Sequence, residues 1–141
     1  MRTYRTTSEE ETIEVGVTLA RELPKKRLVL LIGNLGAGKT TLAKGIVTGL
    51  GAAAPEEVSS PTFTLIHEYG EDGRVYHIDL YRLEEQREVA TLGLDELFDR
   101  EAIVLIEWGE RFPRLLPAER TEIHIRALPD EAREIEVREI E

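Results

Sequence analysis

An apolar run followed by a glycine-rich segment constrains this chain more than any other feature. Residues 28–32 are all apolar and have the length of a strand, and residues 33–40 read GNLGAGKT. The second segment is a complete G-x-x-x-x-G-K-S/T motif. Residues 41–47 continue with helical character. Because a strand precedes the glycines and a helix follows them, the sequence predicts a phosphate-binding P-loop within an α/β fold.

Phosphate binding explains the residue types of this loop. Glycine allows the backbone to wrap closely enough to aim successive N–H groups at a polyphosphate, and the start of the following helix adds its positive dipole end. Lys39 is expected to reach the β- and γ-phosphates, and the Thr40 hydroxyl is expected to bind Mg²⁺. The predicted nucleotide-binding residues of the loop are Gly33, Asn34, Leu35, Gly36, Ala37, Gly38, Lys39, Thr40 and Thr41.

Length and composition exclude several classes of protein. The 141 residues are the size of one domain, predicted to span residues 1–141. Without cysteine, disulfides, thiolate catalysis and Cys-based zinc sites are excluded, and the three histidines lack metal-ligand spacing. No apolar run approaches the roughly 18 residues of a membrane span and no signal-peptide pattern opens the chain, so a cytoplasmic location is expected. The net charge of −10 predicts that any contact with nucleic acid is weak or made through a partner.

Hydrophobic patterns predict further elements around the P-loop. Together they predict a three-layer P-loop NTPase fold with a central, mostly parallel sheet and an antiparallel hairpin at the C-terminal end. In chain order, the elements are a helix over residues 8–23 with Ser8 as N-cap, a hairpin of residues 63–69 and 74–79, two short helices within 83–97 separated at Gly93, a buried parallel strand at 102–106, and a closing hairpin around 122–138.

A P-loop site also needs an acidic residue at the end of a neighbouring strand. Glu107 follows the purely apolar strand and is assigned to the metal, and Asp79 is left for a metal-linked water or the attacking water. The alternative for both acids is a helix cap or a surface carboxylate. Thr62 is a candidate ligand of the metal or the γ-phosphate, and its alternative is a turn residue that bonds its own backbone. The chain contains no guanine-binding N-K-x-D run, which favours ATP.

Besides the P-loop, the chain carries several short motifs in a fixed order. The P-loop alone occurs in many unrelated proteins, whereas the run HIDLYR at residues 77–82, followed by Glu107 and Trp108, is far more specific. The relevant stretches are residues 33–41, 60–63, 76–82, 106–108 and 122–125. In these stretches, and over nearly its whole length, the chain resembles the TsaE (YjeE) family of bacterial P-loop ATPases in tRNA threonylcarbamoyladenosine biosynthesis.

This resemblance implies a weak ATPase in which Thr40 and Glu107 hold Mg²⁺ and switch-like segments lie near Thr62 and Asp79. It also implies nucleotide contacts at Glu9 and Arg133. The catalytic set implied is Lys39, Asp79, Glu107 and Thr62.

The implied partners are subunits of the TsaD and TsaB types, which transfer the threonylcarbamoyl group to adenosine 37 of tRNA. The ATP cycle of this chain would support the turnover of their complex. Two other classes remain open, a small-molecule P-loop kinase and a nucleotide-dependent binding module without hydrolysis.

Overall fold

The computed structural model describes residues 1–62, 64–71 and 74–141. Phe63 of the predicted hairpin and Asp72 and Gly73 of its turn lie outside the described residues. The strands are β1 (Arg2–Thr6), β2 (Arg27–Ile32), β3 (Ile66–Tyr69), β4 (Val75–Asp79), β5 (Ile103–Glu107), β6 (Arg120–Ala127) and β7 (Arg133–Ile140). The α-helices are α1 (Glu9–Ala20), α2 (Lys39–Gly49), α3 (Gln86–Ala90) and α4 (Leu94–Asp99), and single 3₁₀ turns occupy Pro55–Glu57, Gly109–Arg111 and Pro113–Leu115.

The strands form one mixed sheet in the order β1-β7-β6-β2-β5-β4-β3. The four central strands, from β6 to β4, pair in parallel. The outer pairs β3–β4, β6–β7 and β1–β7 are antiparallel, which includes the predicted C-terminal hairpin. The predicted mostly parallel sheet is therefore correct only for its centre. The difference arises at the edges, where β1, which the sequence pattern did not predict, pairs with β7 from Arg2 opposite Val137 to Thr6 opposite Arg133.

Helices cover both faces of the sheet because the central strands are apolar on both sides. Along β2, Val29 and Leu31 pack with α1 and α2, whereas Leu28 and Leu30 pack with α3 and α4. The result is three layers, as predicted, with one buried core on each side of the sheet. The carboxyl ends of β2, β4 and β5 reach the same edge, where ligands of open α/β sheets bind.

Helices α1 and α2 cross at glycines. A Cβ atom at Gly16 would lie 2.6 Å from the Leu42 carbonyl oxygen, and one at Gly45 would lie 2.1 Å from the Ile13 carbonyl oxygen. The backbones therefore approach more closely than any side chain permits. This close approach explains why Gly16 is buried at the crossing, whereas the apolar residues Ile13 and Val17 beside it are only half-buried.

The remaining elements follow the predicted order. β3 and β4 form the predicted hairpin, and the segment between β4 and β5 contains two short helices. Gly93 precedes α4 with φ of 71°, in the left-handed region that glycine adopts readily. β5 has a parallel neighbour on each side, as predicted for a doubly buried strand. Within the described ranges 1–62, 64–71 and 74–141, no helix combines the length and apolarity needed to cross a membrane.

Candidate functional site: the cleft at the P-loop

A cleft of about 700 Å³ opens at the carboxyl ends of the central strands. The P-loop and the first turn of α1 form part of its wall, and the ends of β4 and β5 form another part. It is lined by Ser8, Glu9, Glu10, Thr12, Leu35, Gly36, Gly38, Lys39, Thr40, Thr41, Ser60, Thr62, Asp79, Tyr81, Glu107, Trp108, Glu131 and Arg133.

The P-loop requires glycine at two of its positions for different reasons. Gly38 has φ of 108°, a left-handed conformation that a residue with a Cβ atom adopts only under strain. At Gly33, a Cβ atom would lie 2.5 Å from the Ile125 carbonyl oxygen of β6. The loop is therefore held against the sheet by close backbone packing, and α2 begins directly after it at Lys39.

Most of the predicted site residues meet in this cleft. Gly33, Asn34 and Ala37 do not line it: Ala37 is buried, and its N–H donates to the Asn34 carbonyl at 3.0 Å, which closes the turn. The predicted residues that line it are Glu9, Leu35, Gly36, Gly38, Lys39, Thr40, Thr41, Thr62, Asp79, Glu107 and Arg133.

Lys39 is almost fully buried at the base of the cleft, with 5% of its surface exposed. Its ammonium group donates to the Gly33 carbonyl at 2.8 Å and lies 3.6 Å from the centre of the Trp108 ring. Burial lowers the pKa of Lys39, and nearby carboxylates, Glu107 before the others, act in the opposite direction. A cation held in this way is suited to contact a polyanion at the mouth of the P-loop.

Glu107 shares one carboxylate oxygen between two neighbours. Its Oε2 lies 2.5 Å from Nε2 of His77 and accepts a hydrogen bond from the Thr40 hydroxyl at 3.3 Å. Glu107 is 4% exposed and His77 is 0% exposed. The acid at the end of β5 is thus in contact with the P-loop threonine at the start of α2, as the assignment of both to one metal requires.

Asp79 lies opposite Glu107 in the pairing of β4 with β5. Its Oδ2 accepts a hydrogen bond from the Thr62 hydroxyl, and its Oδ1 accepts one from the backbone N–H of Tyr81, both at 2.8 Å. Ser60 lies 2.7 Å from Thr62, hydroxyl to hydroxyl. Thr62 therefore contacts the acid at the end of β4. A turn residue that bonded only its own backbone would not make this contact.

The donor atoms beside the P-loop suit Mg²⁺. A hydroxyl and a carboxylate are hard oxygen ligands, and Mg²⁺ in nucleotide sites takes one or two of these, with phosphate oxygens and water completing its shell. Across the described part of the chain, no group of three or more His, Asp or Glu residues is arranged to hold a metal. Thr40 and Glu107 therefore fit an ion that arrives with a phosphate ligand.

Trp108 and Arg111 connect the segments that follow β4 and β5. The Trp108 ring lies 5.2 Å from the Tyr81 ring, and the Arg111 guanidinium carbon lies 5.7 Å from the Trp108 ring. Arg111 also donates to the carbonyl oxygens of Tyr81 and Leu83, at 3.0 and 2.8 Å. These contacts were not predicted, because they depend on how two separate loops meet.

The contact between His77 and Glu107 was also not predicted from the sequence. The sequence indicated only that the three histidines lack metal-ligand spacing, whereas the structure shows a fully buried His77 ring against Glu107. A signal was present, because His77 precedes Asp79 by two positions and alternate residues of a strand share one face. For Glu10 and Glu131, which also line the cleft, no comparable pattern existed.

Comparisons with known proteins agree on one family. The family model described as "Threonylcarbamoyl adenosine biosynthesis protein TsaE" matches residues 6–135. A TsaE protein of Bacillus subtilis (strain 168) is 42% identical over 134 residues, covering 94% of this chain and 82% of the relative. One from Treponema pallidum (strain Nichols) is 39% identical over 130 residues, covering 92% and 95%.

A solved structure is also similar. The crystal structure of YdiB from Bacillus subtilis superimposes with a TM-score of 0.79 at 35% sequence identity, covering 99% of this chain and 86% of YdiB. The family model and the relatives cover most of the chain. The chain belongs to the TsaE family.

Proposed function

We propose that this protein is a P-loop ATPase that binds Mg-ATP in the cleft and hydrolyses it slowly. The observation that carries the proposal is the contact of the P-loop threonine, Thr40, with Glu107 at the end of a parallel strand, beside the buried Lys39. The same arrangement supports assignment of the sheet to the P-loop NTPase fold. ATP is favoured over GTP because the chain lacks an N-K-x-D run.

Each of these side chains has a distinct proposed task. Lys39 and the backbone N–H groups of the P-loop bind the phosphates, and Thr40 and Glu107 hold Mg²⁺. The ion supplies positive charge to the β- and γ-phosphates when bound. Asp79, oriented by its hydrogen bonds from Thr62 and the Tyr81 backbone, orients the attacking water. The water oxygen adds to the γ-phosphorus as the bond to the bridging oxygen breaks, one water proton is released to solvent, and ADP and inorganic phosphate leave.

The proposed biological role is support of tRNA modification in the cytoplasm. The relatives are named as proteins of tRNA threonylcarbamoyladenosine biosynthesis. We place this chain in a complex with subunits of the TsaD and TsaB types, which modify adenosine 37 of tRNA while its ATP hydrolysis supports their turnover. A net charge of −10 favours a protein surface over tRNA as its direct partner.

Titration calorimetry tests the nucleotide site directly. Mg-ATP should bind the native chain, and Lys39→Ala should weaken binding about a hundredfold, since loss of a charged partner of a phosphate costs roughly 2–5 kcal/mol. Lys44→Ala, a second lysine of α2 that does not line the cleft, is the matched control. Equal binding by the native chain and Lys39→Ala would contradict the proposed site.

Two assays separate an ATPase from a binding module or a kinase. Phosphate release, measured alone and with the partner subunits, should increase when the partners are added. Multiple-turnover tRNA modification should require this chain and fail with Lys39→Ala. Binding of ATP without phosphate release would favour the module, and transfer of the γ-phosphate to a small alcohol or nucleoside would favour a kinase.

A further inference from the structure

We propose that His77 is a positioning residue that holds the Glu107 carboxylate in the orientation needed for Mg²⁺. This inference rests on the proposed function. Its starting point is a contact inside the sheet, where the His77 ring on β4 approaches Glu107 on β5 at 2.5 Å. Both side chains are withdrawn from solvent, at 0% and 4% exposure.

Because Glu107 is buried, its carboxylate depends on the hydrogen bond from His77. A carboxylate that leaves water needs hydrogen-bond donors, and charge-assisted bonds to such groups are short and strong. Among the described residues, its Oε2 has two hydrogen-bond neighbours, the Thr40 hydroxyl at 3.3 Å and His77 at 2.5 Å. The histidine is the closer of the two, and it lies on β4, which is paired with a strand on each side. It is therefore the stronger restraint on the side-chain rotamer of Glu107.

The other ring nitrogen supports the same assignment. Nδ1 of His77 is buried and has no hydrogen-bond partner among the described atoms, so Nε2 is the ring atom through which His77 meets a polar group. A carboxylate oxygen accepts, so Nε2–H of His77 donates to Glu107. An orphaned buried nitrogen in a native core requires an explanation. Here the orientation of the ring that serves Glu107 leaves Nδ1 without a partner.

The arrangement corresponds to an outer-shell restraint on a metal ligand. Such partners orient the ligand without touching the ion, and their loss typically lowers metal affinity about 10–100-fold. His77 is in position to act in this way because Oε2, the atom it holds, is also the atom that faces Thr40. A histidine that only filled space in the core would leave the metal dependence unchanged when replaced by an apolar residue.

The test compares His77→Leu with His77→Gln. Glutamine can present an N–H near the position of Nε2, whereas leucine presents none. ATP binding is titrated calorimetrically against Mg²⁺ and again in excess chelator. His77→Leu should raise the half-saturating Mg²⁺ concentration about tenfold or more. Its affinity for ATP in chelator should stay within about twofold of native, and His77→Gln should recover most of the Mg²⁺ dependence, because only the restraint on the metal ligand is lost.

A second readout and a matched control accompany the titration. Trp108 is the single tryptophan and is adjacent to Glu107, so its emission during a Mg²⁺ titration with ATP present should report the same shift. His67→Leu alters the histidine opposite His77 on β3 and should leave the Mg²⁺ requirement native. If His77→Leu does not fold, His77→Asn replaces it, because its shorter amide does not reach Glu107.

The outcomes are distinguishable. The inference is overturned if His77→Leu, or its Asn substitute, requires no more Mg²⁺ than the native chain, or if His77→Gln is as impaired as the apolar variant. Native protein that binds ATP with no dependence on Mg²⁺ would overturn the proposed metal site, and the role of His77 with it. A normal native titration with a shifted His77→Leu titration supports both.

Discussion

The two sides of the cleft are built in different ways. On the P-loop side, the hydrogen bonds that shape the turn are local: the Lys39 ammonium group donates to Gly33 six positions earlier, and the Ala37 N–H donates to the Asn34 carbonyl. On the acidic side, contacts join distant segments. Glu107 meets His77 across 30 positions and Thr40 across 67, and Asp79 meets Thr62 across 17.

The P-loop side therefore depends mainly on backbone geometry, and the acidic side depends mainly on side-chain chemistry. The P-loop tolerates few side chains because its backbone turns sharply and packs against β6, so its key positions are glycines. The acidic side depends on the identity of buried polar groups that strand pairing brings together. Substitutions on the acidic side should alter catalysis with little loss of ATP binding, and substitutions that add atoms behind the P-loop should alter stability first.

The largest expected effect is on the acidic side. Asp79→Asn should lower ATP hydrolysis about a hundredfold, a typical loss for a group that orients or deprotonates the reacting water. Affinity for Mg-ATP should change less than about threefold, since the amide can still accept from Thr62. The measurement is single-turnover phosphate release beside calorimetric binding. Asp95→Asn, an exposed acid on α4, is the control, and equal activity of both variants would remove Asp79 from the mechanism.

The next effect tests the packing behind the P-loop. In Gly45→Ala, the added methyl meets backbone atoms of α1, with the Ile13 carbonyl oxygen only 2.1 Å away. Overpacking costs up to about 3 kcal/mol, while alanine is favoured over glycine in a helix by about 1 kcal/mol. The free energy of unfolding in urea should therefore fall by about 2 kcal/mol. Lys44→Ala should stay within about 0.5 kcal/mol of native, and an unchanged Gly45→Ala would mean that the helices separate easily.

A smaller effect is expected at the first turn of α1, which lines the cleft. The Ser8 hydroxyl accepts a hydrogen bond from the Glu11 N–H at 3.1 Å, which caps the helix. Ser8→Ala should lower the free energy of unfolding by about 1 kcal/mol, and Ser8→Asn should restore it, because asparagine caps as well as serine. Chemical denaturation measures both. Equal losses in the two variants would show that the cap contributes little.

The smallest expected effect concerns Glu110, in the turn after β5. Burial raises the pKa of its carboxyl group, while Lys39, Arg111 and His124 favour the charged form. The folded chain therefore keeps this proton to a higher pH than the unfolded chain, so stability falls as pH rises from the ordinary value of 4.5 toward the raised pKa.

Glu110→Gln removes this titration. The variant should be more stable than native at neutral pH, and the difference should vanish below the ordinary carboxyl pKa. Thermal unfolding at several pH values measures it, with the exposed Glu96→Gln on α4 as control. A stability difference that does not vary with pH would assign the effect to packing instead.

Local features of the fold were predictable because neighbouring residues encode them. Ser8 precedes a run of acids and caps α1, and Gly93 separates two helices. The all-apolar run before Glu107 indicated a strand buried on both faces, which β5 is. Strand β1 was not predicted, because residues 2–6 (RTYRT) are mostly polar and show no strand pattern of their own. They form a strand by pairing with β7.

Within the candidate site, the sequence predicted most of the residues but not the contacts between them. Asp79 and Glu107 each end a strand, so their meeting at one edge of the sheet was expected. The short contact of His77 with Glu107, the Trp108 ring beside Lys39, and the bond from Thr62 to Asp79 required the register and loop packing. Their metal-binding and catalytic roles stay predictions that the variants above test.

The strand, P-loop and helix unit could be predicted from the sequence alone, since residues within a few positions of one another specify the turn of the loop and the start of α2. How the acids are held depends on the tertiary structure. Hydrogen bonds between side chains from different strands depend on register, and register depends on the packing of the whole sheet between its two helical layers. The orientation of Glu107 toward Thr40, and the burial of His77 behind it, follow from that packing.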